Sequence, residues 1–240
     1  MLKINSSVAH SGNPGHSNDV FSGMVRLTVF LLFTFINASS QDTWKNVYSE
    51  ENWAERDRWQ KPQELIRHLN LQPGSHVADI GCHEGYMTMK LANAVGATGK
   101  VYAVDIESNK LDKLKIHAAN RGLSVIETVL GTESDPRLPL NKLDAVIIVD
   151  SYHEMDQHVR ILAAIYASLK PGGRLLLCEA IAEERRKASR DEQERKHELG
   201  LSFALADAQK AGFKLVYRAD PFVDRTKEKG DMMWLLVLKK

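Results

Sequence analysis

The sequence predicts an α/β fold, a doubly wound sheet with helices packed on it. Three stretches carry that prediction. The first is Val77-Ala78-Asp79-Ile80-Gly81-Cys82-His83-Glu84-Gly85-Tyr86, a short apolar run followed by two glycines four positions apart. Apolar residues then recur at Met87, Met89, Leu91, Ala92 and Val95, so the pattern reads as a buried strand, a tight turn and a helix. The second is Lys100–Asp105, an apolar strand about twenty residues further on that ends in an acid. The third, residues 143–150, is a nearly continuous apolar run, as a strand buried on both faces requires.

The first turn has the chemistry of a binding loop. Glycine takes positive φ and admits close approach where a Cβ would block it. The helix starting near Gly85 aims free N–H groups and a partial positive charge at the turn. Asp105, at the end of the next strand, is placed to accept hydrogen bonds from a ribose, the layout of nucleotide-type binding at the switch point of a doubly wound sheet. A dinucleotide-binding fold is the natural rival, but its fingerprint packs three glycines into six residues and this turn has two. Asp79, ahead of the first glycine, suits a ligand amino group and repels a pyrophosphate.

Asp79-x-Gly81-x-x-x-Gly85 together with Asp105 resembles the first motif and the ribose-binding acid of the class I S-adenosylmethionine-dependent methyltransferases. The resemblance runs from about Gln63 to the C-terminus, and it departs from the family pattern at His83, where a glycine is usual. It implies a Rossmann-like doubly wound sheet of seven mostly parallel strands with helices on both faces, and S-adenosyl-L-methionine as cofactor. By the same resemblance Asp79 and Glu84 lie near the cofactor amino group, Gly81 and Gly85 give backbone approach, and His83 belongs to the same cofactor-binding loop. Thr132 and Glu133, after the third strand, match positions that reach the adenine; a solvated turn is the alternative there. Ser151-Tyr152-His153-Glu154-Met155 is similar to the post-strand motif of the small-molecule-type members. It implies His153 as base or substrate ligand, with Asp150 or Glu154 orienting it or binding the methionine part of the cofactor. The alternative for His153 is a structural hydrogen bond at a helix start. No residue is assigned to a metal.

The remaining elements follow in order. Pro62 opens a helix over residues 63–69, and Leu71-Gln72-Pro73-Gly74 turns into the first strand. A helix over residues 108–120, with Ser108 as a candidate cap and Gly122 as its stop, precedes a strand at 125–130. A helix at 157–169 leads through the turn Lys170-Pro171-Gly172-Gly173-Arg174 to a strand at 175–179. Residues 183–198 carry six acids and six bases and read as a solvated helical face, with His197 at its end as a candidate to face the pocket. A helix from Leu199 to Lys210 stops at Gly212. Strands at 213–218 and 232–238 close the fold, joined by a polar hairpin loop, 220–230, near the pocket mouth.

The N-terminal part divides into three. Residues 1–23 are polar and read as disordered, or as lying ahead of a true start at Met24. Residues 24–40 combine a basic residue, about ten apolar residues and a small-x-small site, the pattern of a secretory signal peptide, with an uncleaved anchor as the next option. Residues 41–62 form an N-terminal segment in which Tyr48 to Gln60 reads either as a lid over the cofactor or as a helix capping the sheet edge. Residues 63–240 are the methyltransferase-like domain. Location follows the signal peptide: exported, periplasmic or secreted, if it is real and cytoplasmic otherwise.

Whole-chain composition narrows the function classes. With 240 residues, 43% hydrophobic and 26% charged, the chain can bury one ordinary core. A net charge of +1 supplies no basic field for nucleic acid, and an Asn-Pro-Pro-Tyr-type motif is missing after the fourth strand, which disfavours an RNA methyltransferase. Two cysteines make no disulfide framework; Cys82 follows the first strand and Cys178 lies late in a later one, strands two apart in the family order, so both are expected as free thiols. The leading reading is a methyltransferase acting on a small molecule or a protein side chain, with no stable membrane insertion beyond a possible N-terminal anchor. A non-catalytic S-adenosylmethionine-binding module is the alternative, and His83 is the feature that raises it.

Overall fold

The computed structural model describes residues 48–240. The polar leader, the expected signal peptide and residues 41–47 of the N-terminal segment lie outside the described residues. Among the described residues no helix is long and apolar enough to cross a membrane.

Seven strands form one sheet in the order β3-β2-β1-β4-β5-β7-β6. They are β1 (His76–Ile80), β2 (Lys100–Asp105), β3 (Ile126–Leu130), β4 (Leu143–Val149), β5 (Leu169–Ile181), β6 (Lys214–Arg225) and β7 (Asp231–Lys239). β1 to β5 pair in parallel, and β7 runs antiparallel to both β5 and β6. The chain enters at β1, steps outward through β2 and β3, then returns to the other side of β1 with β4. The switch point therefore lies between the carboxyl ends of β1 and its two neighbours, where such sheets bind ligands.

Among the described residues seven α-helices accompany the sheet: α1 (Trp53–Gln60), α2 (Pro62–Leu69), α3 (Tyr86–Val95), α4 (Ser108–Asn120), α5 (His158–Ser168), α6 (Arg190–Glu194) and α7 (Leu201–Lys210). Strand alternation builds two cores. Ala145, Ile147 and Val149 of β4 join Leu65 and Leu69 of α2, Leu91 of α3 and Leu114 of α4 on one face. Val146 and Ile148 join Ile161, Leu162 and Ile165 of α5 and Ala204 and Ala208 of α7 on the other. Each large aliphatic side chain buried here contributes about 1.5–3 kcal/mol. A one-residue slip would turn every one of them to the wrong face, so the register is strongly specified.

Local chemistry sets the ends. Pro62 is the first residue of α2, and Asn70 closes it in the left-handed conformation (φ 56°). α4 begins at Ser108 as expected, but the capping position is Glu107, and no side-chain cap bond forms.

Three stretches differ from expectation. The Lys170–Gly173 turn is a bulge within β5: Leu143 pairs with Leu169 and Ala145 with Arg174, leaving Asp144 opposite the intervening residues. Lys170 closes the bulge with a 2.6 Å bond from Nζ to Asp144 Oδ1. The expected 220–230 loop is shorter, because Val223, Asp224 and Arg225 pair with Met233, Met232 and Asp231. The charged stretch 183–198 is not one helix: a turn at Glu183–Arg185 precedes α6, whose cap Ser189 accepts a bond from the Glu192 N–H.

Candidate active site

A cavity of about 1050 Å³ opens at the carboxyl ends of β1, β2 and β4. Nine of the sequence-predicted residues share its wall: Asp79, Gly81, His83, Asp105, Thr132, Glu133, Asp150, His153 and Glu154. Two do not. Glu84 is turned away to α4, where Lys113 Nζ reaches its Oε1 at 2.6 Å, and Gly85 is packed against Leu114. Burial opposes the Glu84 charge, but the bond from Lys113 outweighs it and holds the carboxyl below its ordinary range.

The β1 turn puts two carboxylates on one wall. Asp79 is 3% exposed and accepts a 2.6 Å bond from Thr88 Oγ1. Burial lifts its carboxyl to about 6, against the opposing pull of Thr88 and Arg56. Asp105 accepts the His83 N–H at 2.8 Å on one oxygen and the Glu107 N–H at 3.0 Å on the other. Each carboxylate oxygen keeps a further lone pair for a ligand. His83 holds the left-handed conformation (φ 48°), a conformation that glycine adopts without strain. Its ring lines the cavity, burial lowers its pKa, and Nδ1 is buried without a hydrogen-bond partner among the described residues.

The structure gives the two glycines a reason within the protein itself, beside the expected ligand approach. A Cβ on Gly81, at φ +73°, would lie 2.4 Å from Ser151 Oγ; one on Gly85, at φ +98°, would lie 2.9 Å from Leu114 Cγ. Contacts within the protein therefore already exclude a side chain at both positions.

The described part of the N-terminal segment, from Tyr48 on, borders the cavity. Tyr48 and Arg56 line it, and Tyr48 donates its hydroxyl to Asp150 Oδ2 at 2.6 Å. Arg56 lies over the rings of Tyr48 and Tyr86, at 5.0 and 4.2 Å. Tyr86 in turn donates to Asp57 Oδ1 at 2.7 Å, and Trp53 packs edge-on against it. Asp150 is held from the other side by Arg225, whose Nη1 lies 3.7 Å from its Oδ2 and whose Nε and Nη2 bond both oxygens of Asp231. Burial opposes ionisation of Asp150, but Arg225 and Lys229 outweigh it and hold the carboxyl well below the usual carboxylate range.

Past Asp150, the turn Tyr152–Glu154 presents His153, whose Nδ1 lies 2.6 Å from Glu179 Oε2. Glu179 is fully buried in β5, and its other oxygen accepts the Ser151 and Tyr152 N–H groups at 2.7 Å each. Burial disfavours the imidazolium, but Glu179 outweighs it and raises His153 to about 10. The Glu179 carboxylate thus favours the imidazolium form of the unliganded ring. His197 also lines the cavity, with its ring edge-on to His153 at 5.8 Å.

Sequence reasoning missed three of these groups as site residues. Glu179 carried a legible signal, a single acid inside the apolar run 175–181. Arg56 and Arg225 carried none, since each is brought in from a charged, polar stretch by long-range packing.

The comparisons with known proteins agree with this geometry. A family model described as a methyltransferase domain matches residues 77–173. A demethylmenaquinone methyltransferase of Symbiobacterium thermophilum is 31% identical over 144 residues, 60% of this chain and 55% of that protein. One from Geobacillus stearothermophilus is 30% identical over 116 residues, 48% of this chain and 49% of that protein. The chain thus spans about half the length of the curated relatives it matches. Among solved structures, a SAM-dependent methyltransferase from Aquifex aeolicus superposes with a TM-score of 0.63 at 21% identity, over 74% of this chain and 88% of that one. The [4+2]-cyclase SpnF superposes equally well, 0.63 at 18% identity over 75% and 80%, so these likenesses speak for the fold alone. The family model is seated on β1 through the β5 bulge, over the strand ends that carry Asp79, Asp105 and Asp150, so residues 77–173 are similar to a methyltransferase domain.

Proposed function

We propose that this protein transfers a methyl group from S-adenosylmethionine to a small organic acceptor. The carrying observation is the pairing of Asp79 and Asp105 on adjacent strand ends, opening into one cavity bordered by Tyr48 and Arg56. The donor set fits the cofactor. Asp79 is a buried carboxylate that burial alone leaves poorly stabilised, and a ligand ammonium would offset that. Asp105 offers lone pairs to ribose hydroxyls, and Thr132 and Glu133 flank the adenine end. Arg56, between two tyrosine rings, suits the cofactor carboxylate. Glu84 has no part in this reading.

The bound cofactor supplies a methyl group already activated on a sulfonium. The protein's work is to bind, align and exclude water. The cavity, about 1050 Å³, lies just above the range of roughly 300–1,000 Å³ usual for small-molecule sites, so it leaves room for an acceptor beside the cofactor. The chain's relatives are named for demethylmenaquinone, and a quinone-type ring in its reduced, dihydroxylated quinol form is the first acceptor class to try. His153, Glu154 and His197 form the polar end against which the acceptor's oxygen would sit, with Asp150 positioned by Tyr48 and Arg225.

The test is release of S-adenosylhomocysteine over a panel of small hydroxylated and quinol-type acceptors. Turnover with at least one, lost in His153→Ala, supports the reading. A protein that binds the cofactor but consumes none across the panel is instead a binding module.

A further inference from the structure

We propose that His153, Glu154 and His197 form a binding site for a divalent transition-metal ion at the polar end of the cavity. The three offer one imidazole nitrogen, one carboxylate oxygen and a second imidazole nitrogen, all within 4.8 Å of one another. His153 Nε2 lies 3.7 Å from Glu154 Oε1, and His197 Nδ1 lies 3.4 Å from the same oxygen. Tetrahedral ligands at 2.0–2.2 Å from an ion stand about 3.3 Å apart. Small rotations of Glu154 and His197, whose side chains are 62% and 76% exposed, close that difference.

The surroundings hold these groups in place. His153 Nδ1 is engaged by Glu179, which leaves Nε2 as the ring's available nitrogen. A carboxylate behind a histidine in this way is the common outer partner of a metal-bound imidazole; it fixes the tautomer and strengthens the ligand. Glu179 is itself fixed by the Ser151 and Tyr152 amides.

His197 is exposed, yet the backbone around it is pinned by buried groups. Gln193 takes the Gly200 N–H at 2.7 Å through its side chain and the Glu198 N–H at 3.1 Å through its carbonyl. Glu198 accepts Arg185 and the Ala182 N–H, and the Leu199 N–H bonds to Ala180. His197 itself sits at φ 56°, in the left-handed region. Such support for one surface histidine is explained if its position matters.

A second grouping, Asp150 with His153 and Glu179, is less suitable. Asp150 is committed to Tyr48 and Arg225, and Glu179 to His153 and two amides. Two imidazoles and one carboxylate with open positions match Zn²⁺, Fe²⁺ or Co²⁺ rather than Mg²⁺ or Ca²⁺, which take oxygen ligands. The open positions face the cavity, where a cation favours the ionised form of an acceptor hydroxyl. That role rests on the function proposed above; the site itself does not.

The test is titration of the full chain, stripped with a chelator and dialysed, with Zn²⁺ by calorimetry and Co²⁺ by absorption. One ion per chain is expected. His197→Ala and Glu154→Gln, both exposed positions, should each weaken binding at least about tenfold, the lower bound for losing even an outer partner. His68→Ala, whose ring stacks on Tyr217, should change nothing. No stoichiometric binding, or equal binding by the wild type and both ligand variants, overturns the site. S-adenosylhomocysteine titrated into the same samples separates the two proposals: binding of one ligand without the other removes only the reading that concerns the missing one.

Discussion

Replacing Asp79 with asparagine should make the unliganded protein more stable and its cofactor site worse. Burial raises this carboxyl from an ordinary 3.8 to about 6. At 1.36 kcal/mol per pH unit, the ionised form costs the fold about 3 kcal/mol. The sign follows from the direction of the shift. The folded protein holds the Asp79 proton more tightly than the unfolded chain, so stability falls as pH rises from about 4 to about 6 and stays lowered above that. Asparagine keeps an oxygen for the Thr88 hydroxyl and removes the charge. Asp79→Asn should therefore melt higher than wild type at about pH 7.5 without ligand, and the gain should vanish at about pH 4.

Cofactor affinity should run the opposite way. A ligand ammonium needs the carboxylate ionised, and at about pH 5 only about a tenth of the unliganded protein has it so. The Kd for S-adenosylhomocysteine should rise about tenfold in wild type between about pH 7.5 and 5, and this slope should be missing from Asp79→Asn. The assay is thermal shift with and without ligand across that range, checked by calorimetry. Arg56 and Asp105 face the same carboxyl from α1 and β2, so the variant, not the wild-type profile alone, isolates it. A flat wild-type profile, or a variant that is neither more stable nor weaker in binding, refutes the reasoning.

Three further substitutions test other contacts. Tyr48→Phe removes the donor to buried Asp150 and should cost about 1.5–3 kcal/mol, with faster proteolysis of residues 48–60 in limited digestion. Arg225→Ala leaves Asp150 and Asp231 without their shared cation, and urea unfolding should show a loss of about 3–5 kcal/mol. Gly81→Ala drives a Cβ into Ser151 at a left-handed position and should lower Tm by several degrees, with part of the loss recovered by adding Ser151→Gly.

Much of this architecture could be read from the residues because local signals agreed. β2 and α4 have the expected bounds, Lys100–Asp105 and Ser108–Asn120, since apolar alternation, an acid at the strand end and a glycine stop point the same way. The turn at Lys170–Gly173 was legible as a turn, but not that the sheet resumes its ladder on both sides of it; only the pairing with β4 determines that. β6 extends past its apolar residues because a buried Arg225–Asp231 pair holds its far end, and a polar run gives no hint of that. The site divides along the same line. Asp79, Asp105 and Asp150 sit at strand ends, where topology alone gathers them. Arg56, Glu179, Arg225 and the cavity-lining role of Tyr48 depend on contacts between residues 26 to 102 positions apart, which no local pattern encodes.

The central claim is that Asp79 and Asp105 together hold S-adenosylmethionine, and calorimetric titration of the purified full chain with S-adenosylhomocysteine tests it most directly. One saturable site per chain is expected, weakened about tenfold or more in Asp105→Ala by loss of hydrogen bonds to a charged group. No saturable binding by the wild type, or undiminished binding by the variant, contradicts it.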